Sequence, residues 1–271
     1  MDRYVVIGNP VSHSLSPEIH AAFAKATGET LEYDRLLVPA GKFMQSAQRF
    51  FDEGGRGANV TLPFKVDAFN WAGARTQRAT VAEAANFLIA RDGFVEADNT
   101  DGAGLVADLT RNHGVRLGGA KILVLGAGGA VRGILAPLLA QEPDRIVVAN
   151  RTAARAMELA ARFRNRGPIE GVALDAIARD RYDLVLNATS TSTHGEALAL
   201  PAQVLASPAF AYDLAYGPGA RAFVERAKAA GMKASDGLGM LVEQAAESFE
   251  LWRGVRPDTA PVLSELRARM A

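Results

Sequence analysis

The chain has 271 residues, 49% hydrophobic and 22% charged, and 30 Lys plus Arg balance 30 Asp plus Glu. That length allows two compact domains, and the even charge balance points away from nucleic acid and anionic membrane surfaces as partners. No cysteine is present, which excludes a disulfide framework and thiolate metal sites. The opening MDRYVVIGNP lacks a signal-peptide core, and no apolar run approaches the ~20 residues of a membrane span, so a cytoplasmic protein is expected.

Residues 3–8 (RYVVIG) predict a short strand ended by Asn9-Pro10. The next segment carries helix-start signals: Ser16 fits the N-cap, Pro17 the first helical position and Glu18 the positive end of the dipole. Ile19, Ala22, Phe23 and Ala26 keep helical spacing until Gly28. A strand over 31–38, a helix over 42–51 and the stretch GANVTLPFK (57–65), a strand running into a helix, come next. After a short helix, 86–90 and 94–97 read as a β-hairpin turning at Asp92-Gly93. NTDG (99–102) opens a helix to about residue 112.

KILVLGAGGAVRG (121–133) follows. Its continuous apolar run suits a strand covered on both faces, and its glycines suit a tight turn into a helix whose free N–H groups can hold a pyrophosphate. An ordinary strand-to-helix turn is the other reading, and Val131 stands where the third glycine of the dinucleotide pattern belongs. Strands over 145–149, 184–188, 210–214 and 232–235 then alternate with helices over 153–163, 220–230 and 238–252, the rhythm of a parallel α/β sheet. A last short helix is expected between 257 and 271.

Several residues invite a chemical reading. Asn150, Arg151 and Thr152 close the second strand of the nucleotide unit, where NAD sites often place an acid for the ribose diol. With Arg155 one turn on, the guanidinium and hydroxyl suit a 2′-phosphate and hence NADP; a solvated Arg151 and a capping Thr152 are the plainer alternative. Lys65 and Asp101 each follow a strand at a helix start, so an aspartate facing a lysine could hold the proton of a hydroxyl being oxidised, or each could be an isolated surface charge. Ser14 and Ser16 suit a carboxylate as well as they suit a turn and a cap. Asn59, Thr61, Asn86 and Gln244 lie in otherwise buried-looking segments, where a bound polyol or an internal hydrogen bond would satisfy them. The four histidines show no metal-ligand spacing.

Taken together, SLSPEIH (14–20), NVTLPFK (59–65), AANFLIARDG (84–93), DNTDG (98–102), GAGGA (126–130), NRT (150–152), NATS (187–190), YDLAYGP (212–218) and DGLGMLVEQAA (236–246) resemble the shikimate dehydrogenase family, in order and over nearly the whole chain. The resemblance implies an N-terminal α/β substrate domain (1–102, completed by 238–271) and a Rossmann-like NADP-binding domain (103–237), with a C-terminal helix returning to the first. It implies NADPH-dependent, reversible reduction of 3-dehydroshikimate to shikimate, with Lys65 and Asp101 as the catalytic pair. Ser14 and Ser16 would hold the substrate carboxylate, and Asn59, Thr61, Asn86, Asp101, Tyr216 and Gln244 would surround its ring. Gly126, Ala127, Gly128, Gly129 and Ala130 would take the pyrophosphate. Asn150, Arg151, Thr152 and Arg155 would take the 2′-phosphate end, and Thr189, Leu214 and Gly237 would complete the cofactor contacts. A monomer or a homodimer is expected.

The chain departs from the family pattern at Val131, which predicts a shifted packing of its helix, at the longer stretch 191–195, and at Arg221. Within the family, quinate or an aminoshikimate are alternative substrates. A non-catalytic NADP- or quinate-binding regulator is an alternative of another class, which would be expected to lack Lys65 and Asp101.

Overall fold

Short apolar segments alternating with amphipathic ones dictate two layered α/β units in the computed structural model, which describes residues 1–178, 180–189, 204 and 210–270. The first unit comprises Met1–Gly104 with Val242–Ala271, and the second Leu105–Leu241.

The first unit holds β1 (Asp2–Gly8), α1 (Ser16–Thr27), β2 (Leu31–Leu37), α2 (Phe43–Asp52), β3 (Gly55–Val60), α3 (Lys65–Trp71), β4 (Ala74–Arg75), α4 (Gln77–Ala82), β5 (Phe87–Arg91) and β6 (Phe94–Asp98). The strand order is β2-β1-β3-β5-β6-β4. β1 lies parallel to both neighbours, β5 is antiparallel to β3 and β6, and the short β4 joins the edge. One face packs Val5, Ile7, Ala58, Val60 and Leu88 against Phe43 and Phe50 of α2 and Phe64 just ahead of α3. The other buries Tyr4, Val6 and Tyr33.

That second face is covered by α9 (Leu238–Arg253), whose later residues return to the first unit, and α10 (Ala260–Met270) follows it. Trp252 stacks on Phe87 with centroids 5.0 Å apart and donates from Nε1 to Leu88 O at 3.1 Å. Gly57 makes the contact possible, because a Cβ there would lie 2.3 Å from the indole nitrogen.

α5 (Asp101–Ala107) runs on into a π-helical turn, Asp108–Asn112, and carries the chain into the second unit. There follow β7 (Lys121–Leu125), α6 (Gly129–Leu139), β8 (Arg145–Asn150), α7 (Ala153–Phe163), β9 (Ile169–Ala173), β10 (Leu184–Asn187), β11 (Phe210–Asp213), α8 (Arg221–Ala229) and β12 (Lys233–Asp236). All pairings in this sheet are parallel, in the order β12-β11-β10-β7-β8-β9. Renumbered within the unit, the order is 3-2-1-4-5-6, that of dinucleotide-binding sheets, which bind at the point where it reverses. That point lies between β7 and β10.

The predicted strands and helices are present, with two local corrections. Ser16 is not the cap of α1 but its first residue; Leu15 occupies the cap position and offers no side-chain acceptor. β4 and β9 went unforeseen, being two residues long in one case and an edge strand with a central glycine in the other. The expected domain boundaries at 102 and 237 stand just before the points, inside α5 and α9, at which the two units divide. Val131 is fully buried on α6, and its N–H donates to Gly128 O at 3.1 Å. Residues 191–195 lie outside the described residues. Among those described, no helix is long and apolar enough to cross a membrane.

Candidate active site

In the first unit, the C-terminal ends of β3 and β6 deliver Lys65 and Asp101 to one place. Both are first residues of their helices, and Lys65 Nζ donates to Asp101 Oδ2 at 2.5 Å. The pair is shielded but reachable, with side-chain exposures of 21% and 10%. Asp101 is held from its other side, where Asn86 Nδ2 donates to Oδ1 at 2.9 Å, while its own N–H donates to Asn99 Oδ1 at 3.2 Å.

The loop that presents Asp101 is itself anchored. Asp98 accepts from Thr76 Oγ1 (2.5 Å), from Arg78 Nε (3.0 Å) and Nη2 (2.5 Å), and from the Asn99 N–H (2.7 Å). A buried carboxylate in a two-pronged guanidinium fork fixes direction as well as charge.

Asn86 is buried and uses its amide inside the protein. Oδ1 accepts the Thr100 N–H at 2.7 Å, and Nδ2 points at Thr100 Oγ1, Asp101 Oδ1 and Gln244 Oε1. Asn59 is similarly engaged: Oδ1 accepts from Tyr33 Oη at 2.8 Å, and Nδ2 donates to Ser248 Oγ at 3.0 Å and Asn86 O at 3.3 Å. Ser248 donates in turn to Gln244 O at 3.0 Å. The structure thus joins Asn59, Asn86, Asp101, Lys65 and Gln244 in one polar network. It adds Tyr33, Thr100 and Ser248, which the sequence reading passed over. Burial pushes the Tyr33 phenol well above its usual pKa, so it stays a neutral donor.

Ser14 and Ser16 form a second cluster at the start of α1. Ser14 Oγ donates to Ser16 Oγ at 3.2 Å and accepts the Ser16 N–H at 3.3 Å, so both hydroxyls sit at the positive end of a helix. Thr61 is half-buried beyond β3, its N–H donating to Ile7 O at 2.9 Å. Tyr216 belongs to the second unit, where burial raises its pKa.

The second unit presents its glycine segment at the sheet's reversal point. Gly126 has φ +108°, and a Cβ there would lie 2.9 Å from Ala188 O, just beyond β10. Gly128 and Gly129, exposed at the start of α6, have nothing within 4 Å of where a Cβ would stand, and Ala130 is exposed beside them. Open backbone at a helix N-terminus is a cradle for a phosphate group. Asn150 Nδ2 donates to Thr152 O at 3.0 Å, ordering the turn on which Arg151 and Thr152 are exposed, and Arg155 is exposed in the first turn of the helix that follows. Thr189 donates to Asn187 Oδ1 from N (3.2 Å) and Oγ1 (2.8 Å). Leu214 and Gly237 are packed so closely that a Cβ on Gly237 would stand 2.3 Å from Leu214 O. These residues fit a dinucleotide: an open cradle, fixed turns and two exposed cations.

Known proteins agree in fold and sequence. The family model described as the shikimate dehydrogenase substrate binding domain matches residues 6–88, that of shikimate / quinate 5-dehydrogenase matches 108–215, and the shikimate 5'-dehydrogenase C-terminal domain matches 237–267. The shikimate dehydrogenase (NADP(+)) of Laribacter hongkongensis is 50% identical over 272 residues, covering 100% of this chain and 99% of that one. The crystal structure of an Ael1 enzyme from Pseudomonas putida superposes with a TM-score of 0.92 at 45% identity, covering 98% of both chains. Shikimate 5-dehydrogenase of Thermus thermophilus, solved with NADP(H) and shikimate, gives a TM-score of 0.87 at 34% identity, covering 99% of each.

Proposed function

The chain belongs to the shikimate dehydrogenase family, and from that membership we propose that Lys65 and Asp101 handle the proton of its reaction. The reaction is the NADPH-dependent, reversible reduction of 3-dehydroshikimate to shikimate, a step towards chorismate and the aromatic amino acids. The observation that carries the assignment is the 2.5 Å contact between Lys65 Nζ and Asp101 Oδ2 in a shielded position.

NADP is the cofactor, and when bound it gives or takes the hydride. In this reading Gly126, Ala127, Gly128, Gly129 and Ala130 hold its pyrophosphate, and Asn150, Arg151, Thr152 and Arg155 hold its 2′-phosphate end. Thr189, Leu214 and Gly237 complete its seat. Ser14 and Ser16 take the substrate carboxylate; Thr61, Tyr216 and Gln244 meet the ring and its hydroxyls. Lys65 keeps a proton at the oxygen on C3: its ammonium meets the developing alkoxide in reduction, and its amine receives the hydroxyl proton in oxidation. Asp101 orients that amine and balances its charge. Asn86 and Asn59 act largely from behind, since their amides are already engaged.

The test is a spectrophotometric assay of shikimate and quinate, each with NADP and NAD, on the wild type and on Lys65→Ala. Shikimate with NADP should be the fastest pair, and the variant should lose about 10²–10⁴-fold in kcat with little change in the KM for NADP. Retention of turnover within a factor of about ten would remove Lys65 from the mechanism.

A further inference from the structure

We propose that Arg35 is a positioning residue for the substrate carboxylate, an inference that rests on the assignment of Ser14 and Ser16 above. Arg35 lies on β2, on the same side of the strand as Tyr33 two residues earlier. Its guanidinium reaches the turn before α1 and donates to a single acceptor, the Ser14 carbonyl oxygen, from Nε at 3.1 Å and from Nη2 at 2.6 Å. Two N–H groups of one guanidinium thus converge on that oxygen. From inside the turn, the Ser14 N–H donates to Val11 O at 3.1 Å and the Ser16 N–H to Ser14 Oγ at 3.3 Å. The peptide carrying one of the two carboxylate-binding hydroxyls is therefore fixed on both sides, and Arg35 is the tie from the sheet. A lysine carries the same charge but cannot reproduce the planar fork.

Arg35 also contributes charge. Ser14 and Ser16 are neutral, whereas their proposed ligand is an anion. Glu18 partly balances Arg35, lying 3.9 Å from Nη2, but its other oxygen accepts from Arg269 Nη1 at 2.8 Å. Two cations facing one carboxylate leave an excess of positive charge beside the seryl hydroxyls. The three side chains are 35%, 43% and 53% exposed, so the field reaches solvent and salt screens it. The hydroxyls set the direction of the carboxylate; Arg35 sets their position and supplies the charge they lack.

The experiment measures shikimate oxidation at saturating NADP for the wild type, Arg35→Ala and Arg35→Lys at several ionic strengths. In Arg35→Ala the KM for shikimate should rise about tenfold or more, while kcat and the KM for NADP stay within about twofold. The fall of kcat/KM with added salt should be shallower in that variant. Arg35→Lys should keep the salt dependence and still show the raised KM, separating charge from clamp. The inference is overturned if both variants keep the wild-type KM for shikimate, or if kcat and the KM for NADP deteriorate in parallel, as a general loss of structure would cause. Failure of the wild type to oxidise shikimate would instead overturn the underlying assignment.

Discussion

His20 is fully buried one helical turn after Ser16, with its ring stacked on Tyr33 at 4.3 Å and 7°. Phe23, Phe249 and Trp252 enclose it further, and neither ring nitrogen has a hydrogen-bond partner among the described residues. Burial lowers its pKa from 6.5 to about 3, with nearby Asn59 opposing the shift. The sign follows: below about pH 6.5 the unfolded chain binds a proton that the folded chain refuses until about pH 3, so stability is intact above that window and falls with pH inside it. Urea denaturation at pH 7 and pH 5 should show the wild type losing more stability than His20→Phe, by up to roughly 1.4 kcal/mol per pH unit. Parallel losses in the two proteins would mean that His20 is not the group responsible.

The sequence left His20 without chemistry, and for a physical reason. Helical spacing says that a side chain faces inwards, but not whether the inside is wet. Lys65 and Asp101 were legible as candidates because each stands at a strand-to-helix junction. Their contact was not, since it joins two segments 36 residues apart. Tyr33 and Ser248 were missed because each reads as an ordinary inward-facing residue of its strand or helix. Only the fold shows both of them bonded to Asn59.

At the scale of elements, the glycines divide into two kinds that a motif cannot tell apart. Gly237 lacks room: a Cβ would press against Leu214 O at 2.3 Å, and backbone cannot swing aside. Gly128 has room, with nothing within 4 Å. Gly237→Ala should therefore lower the melting temperature and weaken NADP binding together. Gly128→Ala should keep the melting temperature within about 2 °C and weaken NADP binding alone, by filling the cradle. Thermal melts with cofactor titration distinguish them, and an unchanged melting temperature for Gly237→Ala would count against the close packing. The regular βαβ rhythm made this unit easy to read from apolar runs. Its edge strand β9 was the exception, because Gly171 interrupts the run where Ala156 of α7 packs against the strand.

For the whole molecule, each unit supplies most of the residues proposed for one ligand, Tyr216 being the exception. NADP should raise protection against amide hydrogen exchange chiefly within Leu105–Leu241, and shikimate chiefly within Met1–Gly104 and Val242–Ala271. At a hundredfold excess over Kd the bound unit should gain about 2.7 kcal/mol. Mass-resolved exchange with each ligand alone is the measurement, and equal protection of both units by NADP would contradict the division of labour. The sequence anticipated a C-terminal return to the first unit through its resemblance to a family, not through any local signal. No periodicity announces which sheet a helix will cover.

That return has a consequence for synthesis. All six strands of the first sheet precede residue 99, yet the helix that covers one face, with Trp252 seated over Gly57, is translated only after every strand of the second sheet. Gln244 and Ser248, which complete the polar network around Asn86 and Asn59, arrive equally late. The second unit, continuous in sequence, has all its own strands by residue 236. On the ribosome, order of appearance and order of completion are therefore inverted. The half begun first must wait, with an aromatic face uncovered, until the half begun second is finished.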